Sequence, residues 1–365
     1  MRVVLAPRAA HAFDTPTPLP DRAAIERARG LVARFPEARL REVALVRARE
    51  LDLRADTGGA TRVWLALESL QVTGSFKVRG AVFALAAIKE AAVRAGDANP
   101  RVIAASAGNH GAGVAYAARM LGVRASIVVP TSTPRAKRDR IVACGAEVVF
   151  GPTAHYDDAE AAAIAMAAKE QVRFLSAYDD EDVLLGNGAS LGFEITRALG
   201  RPADAILTPF GGGGLACGLA CASSVDAAEA LTSRSRRRVW GAQSEACPAM
   251  AKSLELGSAV EKMTADSTLA DGLEGGIPVR AFQRARGAVA GVVVVIERAI
   301  AEAVAFAVKE LGLVIEGSAA CALAPVLAGL PEPMRLPGGG DLVVVLSGRN
   351  IDREVLAGTL DPRPA

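Results

Sequence analysis

Short runs of valine, isoleucine and leucine recur along this chain, each closed by glycine or proline and followed by an alanine-rich helical stretch. They are RVWLALE (62–68), RVIAASA (101–107), RASIVVP (124–130), AEVVF (146–150), RFLSA (173–177), ADAILTPF (203–210), RRVWGAQ (237–243), GVVVVI (291–296) and DLVVVLSG (341–348). Their hydrophobicity is continuous rather than alternating, which means burial on both faces, as in a parallel sheet covered by helices. Strand–helix alternation over 365 residues predicts a doubly wound α/β architecture. Ligands of such folds bind outside the carboxyl ends of the strands, so chemistry is sought in the turns that follow these runs. Residues 1–45 carry no clear run. A single amphipathic helix over 22–35 is expected there, and the tail DPRPA is expected to fray.

Aromatic residues are 4% of the chain and apolar residues 51%, so alanine, valine and leucine must fill the core. A chain this long buries enough of them to need no disulfide or metal staple. The net charge of +2 gives no reason to expect nucleic acid. The basic cluster Arg234-Ser235-Arg236-Arg237-Arg238 lacks interleaved aromatics and reads as a solvated loop. Cys144, Cys217, Cys221, Cys247 and Cys321 are odd in number and show no metal-ligand spacing, which points to a reducing cytosol. Cys217 and Cys221 share one helix face and read as small core residues. The N-terminus lacks the apolar core of a signal peptide, and GAVAGVVVVI (287–296) is too short to span a bilayer.

Four turns stand out. In TGSFKVRGA (73–81), Thr73 or Ser75 can cap a helix, which places Lys77 in its first turn. The positive end of the dipole and partial burial both disfavour an ammonium there and favour a neutral, nucleophilic amine. In SAGNHGAG (106–113), three glycines let the backbone approach a ligand, and Asn109 offers both a donor and an acceptor. In PFGGGGLACG (209–218), four glycines expose N–H groups at a helix start, a nest for a phosphate. No Walker lysine follows, and Gln243 stands where a dinucleotide site wants a carboxylate. In VLSGRN (345–350), Ser347 ends the last buried run. Taken singly, each also fits a plain reading: a snorkelling lysine, a structural histidine at 110, a flexible glycine loop, a Ser-Gly turn.

Together and in this order, the four segments resemble the threonine/serine dehydratase group of pyridoxal-phosphate (PLP) enzymes, fold type II, over roughly residues 62–352. YDDEDVLLGNGASLGFEI (178–195) and VIEGSAACALA (314–324) resemble further stretches of that group. The resemblance implies a fold like the tryptophan synthase β chain, with two three-layer domains. Residues 1–98 and 178–365 form the large one, and 99–177 the small mobile one. It implies that Lys77 holds the cofactor as an imine and that Phe76 packs beside its ring. Asn109 bonds the ring 3-hydroxyl, Gly211, Gly212, Gly213, Gly214 and Leu215 receive the phosphate, and Ser347 meets the pyridine nitrogen. Ser106, Ala107, Asn109 and His110 form the loop that receives the substrate carboxylate. The family also suggests a homodimer.

A serine cannot keep the pyridine protonated as an aspartate would, so the ring is a weaker electron sink. Expelling a β-leaving group as the α-proton departs suits such a ring. The expectation is that Lys77 takes the α-proton of L-threonine or L-serine, giving a 2-oxo acid and ammonia. Ala107 stands where the related serine racemase carries a second, serine base, which disfavours racemisation. Gln243, Cys247 and Ala249 stand where many relatives bind a divalent ion, so no metal is expected, with Glu245 the nearby acid. Glu42-Val43-Ala44-Leu45 and Asn187-Gly188-Ala189 also depart from the group's usual residues, which leaves the substrate less constrained than the cofactor. The alternatives are 3-hydroxyaspartate elimination, racemisation or β-replacement with the same cofactor, a non-catalytic PLP-binding protein and, more distantly, a dinucleotide oxidoreductase.

Overall fold

The computed structural model describes residues 1–6, 19–56, 58, 60–229, 239–264 and 267–361. All nine apolar runs contain strands. In chain order the strands are β1 (Arg2–Leu5), β2 (Leu45–Arg47), β3 (Thr61–Leu67), β4 (Arg101–Ala105), β5 (Arg124–Val129), β6 (Glu147–Phe150), β7 (Arg173–Phe174), β8 (Ala205–Pro209), β9 (Val239–Ser244), β10 (Gly291–Val295) and β11 (Gly340–Leu346). They form a seven-stranded sheet, β1-β10-β9-β8-β11-β3-β2, and a four-stranded sheet, β6-β5-β4-β7.

The five inner strands of the large sheet run parallel, as does the whole small sheet. Only the edges β1 and β2 are antiparallel. The sequence reading found neither of them. The segment 22–35 also differs from the expected single helix. It holds two short helices, Arg22–Glu26 and Leu31–Arg34, broken at Gly30, whose φ of 69° is left-handed. The basic cluster at 234–238 and the last four residues lie outside the described residues.

The large sheet is covered on both faces. Along β11, Val343 and Val345 join one apolar cluster, with helices Lys77–Ala95 and Gly214–Glu229. Leu342, Val344 and Leu346 join the other, with helices Glu297–Lys309 and Gly317–Leu327. This alternation is the pleat of a strand buried on two sides. On the small sheet, Ala159, Ala163 and Ala167 lie one turn apart on helix Tyr156–Glu170 and seat it against Ile103, Ala105 and Val128. The described cysteines form no disulfide; Cys144 is half-buried and the other four are buried. No helix of the described residues is long and apolar enough to cross a membrane.

Strand order decides where chemistry gathers. β8, β11 and β3 are neighbours in that sequence. Their carboxyl ends bring together the glycine run after β8, Ser347 after β11 and the Lys77 turn that follows β3. The turn after β4 brings in residues 106–109 from the other sheet.

Candidate active site

Lys77 is the first residue of helix Lys77–Ala95. Neither Thr73 nor Ser75 caps that helix, a departure from the sequence reading; Phe76 occupies the cap position without a side-chain bond. The turn is held by backbone instead. Phe76 N donates to Ser347 O at 3.0 Å, Arg349 N donates to Gly74 O at 2.9 Å, and Ser75 bridges Gly348. These bonds set the lysine and Ser347 side by side, so the sheet itself takes the place of the cap.

The Lys77 side chain is half-buried. Its Nζ donates to Ala177 O at 3.1 Å and lies 5.2 Å from the Phe76 ring centre. Burial pushes the amine down from 10.5 to about 8, against the pull of the Glu316 carboxylate. A fraction of it is therefore neutral near pH 7, as nucleophilic and base chemistry require. Helix Asn109–Leu121 packs close behind, where a Cβ on Gly113 would stand 3.2 Å from Lys77 C.

Gly211 to Gly213 cross from β8 into helix Gly214–Glu229, and Gly213 has a φ of +85°. A Cβ on Gly212 would meet Tyr178 Cγ at 2.5 Å, and one on Gly211 would meet Gly272 O at 3.3 Å. The run is thus a side-chain-free cradle with a helix N-terminus at its floor, suited to a phosphate. Leu215, in the first turn, is buried. Tyr178 forms one wall, and its hydroxyl donates to Glu160 at 3.1 Å. Gly212→Ala is expected to weaken cofactor binding about tenfold or more, in line with the 1–3 kcal/mol that overpacking usually costs. Titration of the apoprotein with PLP, followed by absorbance, measures it.

In the third turn, Ser106 Oγ accepts from Gly108 N at 3.1 Å, and the helix begins at Asn109. Its first N–H groups lack intrahelical partners, which suits the helix start to an anion. The Asn109 side chain is engaged, its Nδ2 with Glu316 and its Oδ1 with Asn350. His110 points its ring into the core, 3% exposed, with Nε2 3.1 Å from Leu175 O. That carbonyl requires the Nε2–H tautomer and leaves Nδ1 bare. Burial, with Lys77 close by, pushes His110 down to about 3, so it stays neutral and cannot act as a general acid near pH 7.

Where relatives of the resembled group bind a divalent ion, and none was expected here, Gln243 is fully buried, and both ends of its amide are used. Nε2 donates to Phe210 O at 3.1 Å, and Oε1 accepts from Ala251 N at 3.0 Å. Among the described residues no group of three or more His, Cys, Asp or Glu is placed to hold a metal ion. Chelation of divalent ions is expected to leave turnover unchanged. Gln243→Glu, which sets a buried carboxylate against the Phe210 carbonyl, is expected to cost about 2 kcal/mol or more of stability. Denaturant titration checks the second point.

Sequence reasoning missed Tyr178, Glu316 and Asn350 as site residues, although all three stand in stretches quoted for the resemblance. Their shared partner Asn109 lies more than two hundred positions from Glu316 and from Asn350, so no local spacing marks them.

The residues present fit a phosphate-bearing carbonyl cofactor. An amine of lowered basicity and a bare anion cradle stand at neighbouring strand ends, with a serine between them. The chain belongs to the family of pyridoxal-phosphate dependent enzymes, whose sequence model matches residues 40–348. It is 35% identical over 297 residues to an L-threonine ammonia-lyase of Thermotoga maritima, covering 81% of this chain and 68% of that one. It is 33% identical to an L-threo-3-hydroxyaspartate ammonia-lyase of a Pseudomonas species, covering 92% and 96%. Among solved structures, threonine deaminase isoform 2 of Solanum lycopersicum superposes with a TM-score of 0.78 at 27% identity, covering 99% and 96%.

Proposed function

We propose that this protein is a PLP-dependent lyase that eliminates water from L-threonine or L-serine and yields a 2-oxo acid and ammonia. The observation that carries the reading is the half-buried Lys77 amine at a helix start beside Ser347, with its pKa lowered to about 8. Bound here, pyridoxal phosphate supplies an electron sink for the α-carbon of the amino acid joined to it. Lys77 would hold it, Phe76 and Asn109 would flank its ring, Gly211, Gly212, Gly213, Gly214 and Leu215 would take its phosphate, and Ser347 would meet its ring nitrogen.

The remaining work falls to this chain's own groups. The start of helix Asn109–Leu121, with Ser106 and Ala107 before it, orients the substrate carboxylate. Nζ of Lys77, held toward Ala177 O, takes the α-proton in its neutral form. Ala107 carries no hydroxyl, so it offers no second base for racemisation.

The length of the match to the Pseudomonas protein favours a second reading, elimination from 3-hydroxyaspartate. Incubation with L-threonine is expected to give 2-oxobutanoate and with L-serine pyruvate; faster release of oxaloacetate from 3-hydroxyaspartate decides for the second reading. PLP-loaded protein that forms no keto acid from any hydroxy amino acid overturns the reading. Chiral analysis of recovered serine tests the racemase branch.

The reading extends to a small mobile unit, residues 99–177, which contains all four strands of the smaller sheet. Residues 1–98 and 178–365 make up the large unit. It includes a homodimer in the cytosol, for which light scattering and fractionation are the tests.

A further inference from the structure

Glu316 precedes helix Gly317–Leu327 and is 7% exposed. Its carboxylate sits in space left by a glycine, since a Cβ on Gly348 would stand 2.4 Å from Oε1. It accepts from Asn109 Nδ2 at 2.9 and 3.0 Å and from the backbone N–H of Asn350 at 3.2 Å. Three distant parts of the chain meet there, and none of the roles given above uses the carboxylate.

The hydrogen bonds around it have a fixed direction. Asn350 Nδ2 donates to the Thr73 carbonyl at 3.0 Å, and a carbonyl can only accept. The same nitrogen donates to Asn109 Oδ1 at 2.6 Å. The opposite end of the Asn109 amide is therefore nitrogen, and it faces Glu316. With its oxygen and one N–H engaged, Asn109 has a single N–H left to aim elsewhere.

We infer that Glu316 is a positioning residue. It sets the direction in which Asn109 presents its free N–H, and it supplies the counter-charge that Lys77 meets whenever its amine is protonated. The inference rests on the proposed function only in taking Lys77 as the base.

The charged groups that act on Glu316 are Lys77, from helix Lys77–Ala95, and Asp271, from the turn Asp271–Leu273. Burial pushes the Glu316 carboxyl up to about 7; the Asn109 bond opposes this, Asp271 adds to it and Lys77 opposes it. Lys77 itself lies at about 8. Charge on one of the pair favours the opposite charge on the other, so their titrations are coupled. A proton taken up by Lys77 is thus stabilised as long as Glu316 remains ionised.

The test compares PLP-loaded wild type, Glu316→Gln, Glu316→Asp and Asn350→Ala. Glu316→Gln keeps the volume, removes the charge and turns one of the two oxygens that accept from Asn109 into a donor. It is expected to lower kcat roughly 10- to 100-fold, the usual scale for a group that orients a ligand-contacting residue. KM is expected to change far less. The pH at which the bound cofactor's visible band changes is expected to shift, with Glu316→Asp restoring part of both effects. Asn350→Ala removes the other anchor of the Asn109 amide. It is expected to lower kcat in the same direction without moving the pH dependence, so the inference stays testable if Glu316→Gln fails to fold. An unchanged band titration and kcat in Glu316→Gln overturn the inference, as does a loss explained wholly by lower PLP occupancy. Borohydride labelling of Lys77 in the same samples keeps the two readings apart. Labelled wild type with an unaffected Glu316→Gln refutes the role of Glu316 alone, whereas unlabelled wild type refutes the role of Lys77.

Discussion

Replacing Lys77 by alanine is expected to lower kcat by about 10⁴-fold or more while the fold stands, because the proposed function gives one residue the work of both tether and base. The side chain is half-buried, and among the described residues it makes a single side-chain hydrogen bond, to Ala177 O. Its loss removes little that holds the chain together. Borohydride reduction of the wild type, followed by peptide mapping, should place the cofactor's mass on Lys77. The alanine variant should bind PLP without that adduct. Cofactor-free protein gives a separate signature. The folded pKa of Lys77 is about 8 and its ordinary value 10.5. Between those values the unfolded chain binds more protons, so stability contributed by this group rises with pH across that window. The alanine variant should lack that rise in denaturant titrations from about pH 7.5 to about pH 11.

The largest effect on stability is expected two residues further along the same helix. Arg79 is fully buried, as is Glu68, and Glu194 is nearly so. The guanidinium makes paired bonds to each carboxylate, at 2.7 and 2.8 Å to Glu68 and at 2.8 Å twice to Glu194. It also donates to Arg41 O at 3.2 Å. Burial opposes its charge, but the two carboxylates outweigh that and raise its pKa above the ordinary value. Arg79→Met leaves two buried carboxylates facing each other without a cation and is expected to cost about 3–5 kcal/mol. Replacing all three residues with apolar ones of similar size should recover much of that loss. Chemical denaturation of the cofactor-free variants measures both. Because Arg79 and Lys77 share the first turn of one helix, Arg79→Met should also lower PLP affinity.

The inner strands were legible because burial on both faces writes an unbroken apolar run into the sequence. β1 and β2 were not. They have four and three residues and are partly exposed, and β1 pairs with a strand far away in the chain. An antiparallel edge needs no continuous run, so nothing local marks it. The Lys77 turn was legible as a helix start, yet its cap was misread. Thr73 and Ser75 have the right chemistry for a cap, but pairing with the end of β11 fixes the turn first. His110 shows the same limit, since nothing in SAGNHGAG tells whether the ring faces the crevice or the core. Gln243 was readable as a neutral residue but not as a strut, because its partners Phe210 and Ala251 are set by the crossing of two elements.

The arrangement of the strand ends has one more consequence. Lys77, the glycine run and Ser347, the proposed tether, phosphate cradle and ring partner, follow three adjoining strands of a single sheet, so their mutual spacing is set by interstrand hydrogen bonds and resists drift. The loop proposed to meet the substrate's acid group follows a strand of the other sheet. Mutation can therefore retune which amino acid is accepted by altering how that second layer sits, without disturbing the reactive machinery. A scaffold divided in this way lets substrate preference diverge quickly among relatives while the underlying chemistry stays the same.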